Sequence, residues 1–181
     1  MIKNILILVG GKGSRLGTLT KNTPKPLLKF NNKVFLDFIL SRLLTLNTKH
    51  LYLLCHYKSS QFFKRYHNKI YKNTKIICIK EPKQLGTGGS LFFSKKLIKD
   101  YTLICNGDTF YDLNFKLLKN LKFKKKNILM LCVDNVNYKS NKKLSNLSIK
   151  NKILYFKKNS KLMNSGIYII GKNFTKYLKK N

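Results

Sequence analysis

The sequence predicts a three-layer α/β fold built on a mostly parallel sheet. Short apolar runs rich in leucine and β-branched residues alternate with segments of helical periodicity over residues 5–133. Glycine-containing polar segments follow directly after the first and the fourth of these runs. Because ligands of such sheets bind beyond the carboxyl ends of the strands, we expect both segments at one crevice.

Five apolar runs are the candidate strands. Continuous runs of this composition are typical of strands that are buried on both faces. They span residues 5–9, 51–55, 76–79, 103–105 and 128–133. Cysteines lie at or near the ends of the last four runs, at positions 55, 78, 105 and 132. We expect small core residues there rather than metal ligands or disulfide partners.

Helical periodicity is clearest at 35–44, where apolar residues recur three and four positions apart. Further candidate helices span 60–69, 88–97 and 115–123. Each joins one apolar run to the next, which favours right-handed crossovers and a Rossmann-like sheet. Shorter strand-like pieces at 147–149, 153–156 and 166–170 predict a small β extension, and residues 173–180 could start a helix.

Composition limits the classes of function. A chain of 181 residues with 43% hydrophobic residues can form one domain with a substantial core. No run reaches the ~18 apolar residues of a membrane span, so we expect no membrane partner. We expect a single domain over residues 1–181. The first strand begins at the N-terminus with no signal peptide before it, so we expect a cytoplasmic protein. The sequence leaves open whether the protein forms a homo-oligomer.

The formal charge of +32 raises the question of nucleic-acid binding. Only three of the 38 basic residues are arginines, and the lysines are scattered along the chain. The run 122–126 places Phe123 among lysines, but no RNA-binding signature or helix-turn-helix pattern accompanies it. We therefore rank nucleic acid last among the partners, and expect the charge to attract anionic ligands.

The first apolar run leads into Leu-Val-Gly-Gly-Lys-Gly-Ser-Arg-Leu at residues 8–16, and Pro-Lys-Pro follows at 24–26. Glycines let backbone N–H groups approach a polyanion without Cβ obstruction, and Arg15 lies within reach of the same phosphates. Lys25 is presented from a stiff segment between two prolines. We predict a phosphate cradle with two cations. A dinucleotide-binding turn is disfavoured because Pro-Lys-Pro has no role in it; a plain tight turn remains the alternative.

Asp108 is one of six acidic residues and stands in Asn-Gly-Asp-Thr at 106–109, directly after an apolar run. This position suits a Mg²⁺ ligand, because phosphoryl-transfer sites hold Mg²⁺ with one or two carboxylates and the substrate phosphates. An Asx-turn or a helix cap is the alternative. Asp112 is expected to cap the following helix.

Glu81 is the only glutamate and precedes Pro-Lys-Gln-Leu-Gly-Thr-Gly-Gly at 82–89. Guanine offers two adjacent donors, N1–H and the N2 amino group, and a carboxylate can accept both. We expect Glu81, together with the glycine loop 86–89, to read the base. An ion pair between Glu81 and a nearby lysine is the alternative.

These segments together resemble the signatures of sugar-1-phosphate nucleotidyltransferases, whose opening pattern is Leu-Ala-Gly-Gly-x-Gly-Thr-Arg-Leu followed by Pro-Lys-Pro. The Leu-Gly-Thr-Gly-Gly segment at 85–89 resembles the base-binding loop of that family. The segments 106–110 and 164–168 resemble those of the heptose-1-phosphate guanylyltransferase branch. The resemblance implies the nucleotide-diphospho-sugar transferase type of fold. It also implies transfer of a nucleoside monophosphate, GMP by preference, from an NTP to a sugar 1-phosphate, with pyrophosphate release and Mg²⁺ as cofactor. Such a step belongs to nucleotide-sugar and polysaccharide biosynthesis.

The resemblance also assigns roles to residues. Arg15, Lys25 and Asp108 would be catalytic, and Asp108 would hold the metal. The nucleotide-binding residues would be Leu8, Gly10, Gly11, Gly13, Ser14, Arg15, Glu81, Gly86 and Thr87. The sugar phosphate would be bound by Lys157, Asn164 and Gly166.

Two departures from the family pattern bear on activity. The family usually shows Phe-x-Glu-Lys where this chain has Phe-Lys-Lys-Asn at 156–159, so a carboxylate for the sugar hydroxyls is missing. The family also continues into an Asp-x-Gly segment with a second metal-binding aspartate, for which we find no counterpart before residue 181. We therefore expect a C-terminally shortened domain, and a nucleotide-binding but inactive homologue is the alternative.

Overall fold

The computed structural model describes residues 2–120, 128–134, 147–151, 153–157 and 160–179. Its α-helices are α1 (Phe35–Leu43), α2 (Ser59–Tyr66) and α3 (Gly86–Phe93). The first strands are β1 (Asn4–Leu8), β2 (Lys29–Phe30), β3 (Lys33–Val34), β4 (His50–Cys55), β5 (Ile70–Tyr71) and β6 (Thr74–Lys80). They are followed by β7 (Thr102–Asn106), β8 (Ile128–Asp134), β9 (Leu147–Lys150), β10 (Ile153–Phe156) and β11 (Leu162–Ile170).

Nine of these strands form one sheet, in the order β10-β9-β11-β7-β1-β4-β6-β5, with β8 paired to β11. The four central strands, β7, β1, β4 and β6, run parallel. They correspond to the first four apolar runs of the sequence. The remaining strands of the sheet pair in antiparallel fashion. The prediction of an α/β fold with a mostly parallel sheet and a small β extension is confirmed.

Apolar side chains cover both faces of the central strands. Ile5 and Ile7 of β1 join one buried cluster with α1 and α2, whereas Leu6 joins a second cluster with Leu91 of α3. Helices therefore pack on both faces of the sheet, which gives the three layers. None of the helices in the described ranges is long and apolar enough to cross a bilayer.

The fifth apolar run was expected to be another buried strand, and this expectation is wrong. It forms β8, which pairs antiparallel to β11 and is only partly buried. Cys132 is accordingly half-buried, whereas the other three cysteines are buried core residues as predicted. Burial raises the pKa of the Cys105 thiol to about 12, which keeps it protonated and inert.

Several predicted helices are shorter than the sequence indicates. The segment after α3 continues as a 3-10 turn over Lys95–Leu97, and the predicted helix at 115–123 is a 3-10 helix over Phe115–Asn120, with residues 121–127 outside the described ranges. The C-terminal helix is a 3-10 helix over Lys172–Tyr177. The hairpin of β5 and β6, which begins where Asn68 adopts a positive φ of 60°, was not predicted from the sequence. The lysine-rich run 122–126 lies outside the described residues.

Candidate active site

A cavity of about 240 Å³ lies at the carboxyl ends of the parallel strands β1, β6 and β7. The segments after β1, β6 and β7 supply most of its wall, as expected for an open parallel sheet. Among the residues assigned to the site from the sequence, those that line the cavity are Leu8, Gly10, Gly11, Gly13, Lys25, Glu81, Gly86, Thr87 and Asp108. The prediction that two separate motifs meet at one crevice is confirmed.

The glycine turn after β1 is shaped by close contacts. Gly13 adopts a positive φ of 66°, which a residue with a Cβ rarely adopts, and its carbonyl accepts a hydrogen bond from Thr20 Oγ1 at 3.1 Å. A Cβ at Gly10 would lie 2.8 Å from Glu81 Oε2 and 3.2 Å from His56 Cβ. The turn therefore packs directly on the Glu81 carboxylate.

Ser14 and Arg15 begin the 3-10 helix Ser14–Thr20, and both are exposed beside the cavity rather than in its wall. Within the described part of the chain, the Arg15 guanidinium forms no ion pair. It is therefore available to an anionic ligand.

Lys25 and Asp108 form an ion pair across the cavity. Lys25 Nζ lies 3.0 Å from Asp108 Oδ2, and both side chains are partly exposed. Lys25 is held in a 3-10 turn with Pro24 and Pro26, in which the Leu27 amide donates to the Pro24 carbonyl at 2.8 Å. Asp108 is held close to β1 because the preceding Gly107 donates its N–H to the Leu8 carbonyl at 2.9 Å.

Glu81 is buried in the wall of the cavity, with 3% of its surface exposed. Its backbone N–H donates to the Cys55 carbonyl at 2.7 Å, which fixes its position next to β4. Oε1 has no hydrogen-bond partner, and no lysine in the described ranges forms an ion pair with the carboxylate. The ion-pair alternative is therefore wrong. Burial raises the pKa of the Glu81 carboxyl, and the Ser90 hydroxyl and nearby His56 partly oppose that shift.

The glycine-rich segment after Glu81 differs from the expected loop. Residues 86–89 form the first turn of α3, which begins at Gly86 with a positive φ of 66°. The unpaired N–H groups of a helix N-terminus favour acceptor and anionic ligands, and Gly86 and Thr87 line the cavity. Ser90, which was not predicted from the sequence, also lines the cavity, one helical turn further along α3.

A second cavity of about 550 Å³ lies on the β8 and β11 side of Asp108, and Asn106 lines both cavities. Asn164 lines the second cavity, where its Nδ2 donates to the Tyr168 hydroxyl and its Oδ1 accepts from the Gly166 amide at 2.8 Å. Gly166 has a φ of 78°, and a Cβ there would lie 2.5 Å from Asn106 Nδ2.

The structure separates Lys157 from this arrangement. Lys157 is exposed after β10 and lines neither cavity, and the neighbouring residues 158 and 159 lie outside the described ranges. Asp112 does not cap a helix as expected, because its Oδ1 pairs with Arg42 Nη2 at 3.2 Å. Asn114 serves as the cap, since its Oδ1 accepts from the Lys116 amide at 3.1 Å.

Residues 4–180 match the family model described as nucleotidyl transferase. The chain belongs to this nucleotidyl transferase family. It is 32% identical over 172 residues to the D-glycero-alpha-D-manno-heptose 1-phosphate guanylyltransferase of Campylobacter jejuni, covering 93% of this chain and 76% of that protein. The resemblance to sugar-1-phosphate nucleotidyltransferases and their heptose-1-phosphate branch is confirmed.

Solved structures of nucleotidyltransferases share the fold. The crystal structure of HddC from Yersinia pseudotuberculosis complexed with GMP-PN superposes with a TM-score of 0.75 and 25% identity, covering 99% of this chain and 80% of that one. A putative glucose-1-phosphate thymidylyltransferase from Bacillus anthracis gives a TM-score of 0.79 at 18% identity, covering 98% of this chain and 74% of that one. The prediction of a nucleotide-diphospho-sugar transferase type of fold is confirmed.

Proposed function

We propose that this nucleotidyltransferase moves GMP from GTP to a sugar 1-phosphate and releases pyrophosphate, as a step of nucleotide-sugar biosynthesis. The arrangement of Lys25, Asp108 and Glu81 around one cavity that opens beside the glycine turn carries the proposal. Within this single site Lys25 would contact the triphosphate, Asp108 would hold a metal and Glu81 would bind the base.

The reaction needs no covalent enzyme intermediate. A phosphate oxygen of the sugar 1-phosphate forms a bond to the α-phosphorus of GTP, and the bond from that phosphorus to the bridging oxygen of pyrophosphate breaks. The leaving pyrophosphate takes the electron pair and its negative charge. Arg15 and Lys25 would stabilise this charge, while the glycine turn would position the phosphates through backbone N–H groups.

The donor set fits Mg²⁺ when the nucleotide completes it. Asp108 offers a carboxylate that is 43% exposed at the cavity, and Mg²⁺ in such sites takes one or two carboxylates together with phosphate oxygens and water. A Mg²⁺ ion held there by Asp108 would neutralise charge on the phosphates. In the ligand-free protein Lys25 neutralises Asp108 instead.

The guanine preference rests on Glu81. Its carboxylate lies in the cavity wall with one oxygen free of hydrogen-bond partners, and guanine supplies two adjacent donors for such a group. The Yersinia relative of similar fold was crystallised with the guanine nucleotide GMP-PN. This supports a guanine nucleotide as the donor substrate here.

We assign the sugar 1-phosphate to the second cavity, with Asn164 in its wall and Gly166 beside it. The name of the Campylobacter relative makes a heptose 1-phosphate the first acceptor to test. Because Lys157 lines neither cavity, we propose Arg15 and Lys25 as the cations for the sugar phosphate.

A pyrophosphate-release assay with the four NTPs, each paired with a panel of sugar 1-phosphates that includes a heptose 1-phosphate, tests this function. We expect release with GTP and one or a few sugars, in the presence of Mg²⁺. The Asp108→Asn variant provides the matched inactive control, since the amide keeps the shape of the side chain and removes its charge. Tight GTP binding without pyrophosphate release for any sugar would contradict the proposal.

A further inference from the structure

Glu81 is the only buried carboxylate side chain, since the five aspartates all lie in the described ranges and none of them is buried. An ionised carboxylate in such a place costs free energy unless donors or cations compensate it. Oε1 has no partner, and the adjacent lysines at 80 and 83 are exposed and form no ion pair with it. Nothing in the described part of the free protein therefore holds Glu81 firmly in its charged form.

The groups shown to face Glu81 come from three elements. His56 and Cys55 at the end of β4 are the titratable groups nearby, α3 contributes the Ser90 hydroxyl, and the turn after β1 contributes Gly10. Cys55 is buried, and its thiol brings no positive charge. His56 is therefore the one neighbour whose charge favours ionised Glu81, and burial acts against it.

The two protonation states of Glu81 present different hydrogen-bonding patterns to the cavity. The ionised carboxylate offers two acceptors, which match the N1–H and N2–H donors of guanine. The neutral acid offers one donor and one acceptor, which match the N3–H donor and the adjacent carbonyl acceptor of uracil or thymine. When guanine presents its N1–H and N2–H edge to Glu81, the neutral acid leaves a buried donor unsatisfied, which is the stronger source of discrimination.

We propose that the proton on Glu81 decides which base the cavity accepts. The ionised form selects guanine, and the neutral form selects a base that pairs one donor with one acceptor, such as uracil. This inference deepens the proposed function and rests on it, because it takes the same cavity as the nucleotide site. It adds that base selection depends on pH, with preference for guanine lost as pH falls.

The measurement is the ratio of GTP affinity to UTP affinity, determined by calorimetry with Mg²⁺ and without sugar phosphate from about pH 5 to pH 8. The triphosphate is common to both ligands, so its own titration cancels in the ratio. We expect the ratio to fall on the order of tenfold as the pH decreases, because one good bidentate pair discriminates by about that factor. In Glu81→Gln, whose amide copies the pattern of the neutral acid, the ratio should be low and independent of pH.

A second variant should shift the pH midpoint of the GTP to UTP affinity ratio while the Glu81 carboxylate stays in place. His56→Gln removes the neighbour that favours ionised Glu81, so the midpoint of the ratio should shift to higher pH. His50→Gln, at the opposite end of the same strand, is the matched control and should leave the midpoint in place.

A constant GTP to UTP ratio from pH 5 to pH 8, in a protein that still releases pyrophosphate with GTP, would overturn the inference and leave the proposed function intact. An unchanged preference for GTP in Glu81→Gln would overturn it as well. If the wild-type protein binds neither nucleotide and releases no pyrophosphate, both the inference and the proposed function fail.

Discussion

Gly10 is constrained by a protein contact as well as by its expected role next to a phosphate. The space where its Cβ would stand is taken by Glu81 Oε2, at 2.8 Å, and by His56. Gly11, the next residue, has nothing within 4 Å of its Cβ position. The two adjacent glycines therefore differ in their structural tolerance, although the sequence motif treats them alike.

We expect Gly10→Ala to lower the free energy of unfolding by about 1–3 kcal/mol, since the added methyl group must displace a buried carboxylate. Gly11→Ala is the matched control and should change stability little. Chemical denaturation of both variants without nucleotide measures the difference. Equal stability of the two variants would show that the Glu81 side chain moves aside freely.

Glu81 itself is expected to reduce stability at neutral pH. Its folded-state pKa is raised, so the contribution of Glu81 to the stability of the free protein is most favourable at low pH and decreases as pH rises through the raised pKa. Glu81→Gln should therefore raise the unfolding temperature at pH 7, and this gain should shrink towards pH 4. Thermal unfolding of the wild-type protein and the variant from pH 4 to pH 7 tests this prediction. A lower unfolding temperature of Glu81→Gln at pH 7 would contradict it.

Arg15 is exposed and has no ion-pair partner in the described ranges, so its removal should leave the fold intact. We expect Arg15→Ala to lower kcat about a hundredfold, the usual effect of losing one charge-stabilising group at a reacting phosphate, with an unchanged unfolding temperature. Lys21→Ala, an exposed lysine in the same segment, is the control. Full pyrophosphate release by Arg15→Ala would remove Arg15 from the catalytic group.

The helices α1 and α2 are joined by a polar contact that the sequence did not indicate. Asp37 of α1 accepts hydrogen bonds from Tyr66 Oη and Arg65 Nη2 of α2, both at 2.6 Å. Tyr66 is almost fully buried, and its burial together with Asp37 raises the pKa of its hydroxyl. This contact lies on the sheet face opposite α3, away from the cavity.

We expect Asp37→Asn to lower the free energy of unfolding by about 1 kcal/mol, because a charge-assisted acceptor for a buried hydroxyl is lost. Asp112→Asn removes a second Asp–Arg pair, whose carboxylate is 88% exposed. This variant should lower the free energy of unfolding by less than about 0.5 kcal/mol. Urea denaturation of both variants measures the contrast. A larger loss for Asp112→Asn would mean that its pair with Arg42 stabilises the segment after Asp108.

The net charge of +32 gives the protein a positive field. Such a field attracts anionic ligands of any sequence or base, and salt screens it. The charge therefore affects the rate and strength of nucleotide capture, whereas the base is selected by contacts inside the cavity.

We expect kcat/KM for the nucleotide to fall severalfold between 50 mM and 500 mM KCl, with the preference among NTPs unchanged. Steady-state pyrophosphate release at several salt concentrations tests this. RNA binding that depends steeply on salt but survives Arg15→Ala and Asp108→Asn would instead favour nucleic acid as the partner.

The amino-acid sequence alone determined the parallel centre of the sheet, three buried cysteines and the meeting of the glycine turn with Asp108. These features follow from local periodicity and from the rule that parallel strands end at one edge. The single domain, the cytoplasmic location and any oligomer stay predictions. The metal site and the residue roles are proposals.

Only the tertiary structure decided what each charged group faces. The ion pair of Lys25 with Asp108 joins residues 83 positions apart, and the burial of Glu81 depends on the turn after β1 and the end of β4, which approach it from elsewhere in the chain. The tertiary structure also separates β8 from the parallel strands and Lys157 from both cavities. Local pattern reports which residues are apolar or polar, whereas pairing and burial are set by long-range packing, which no short segment of sequence encodes.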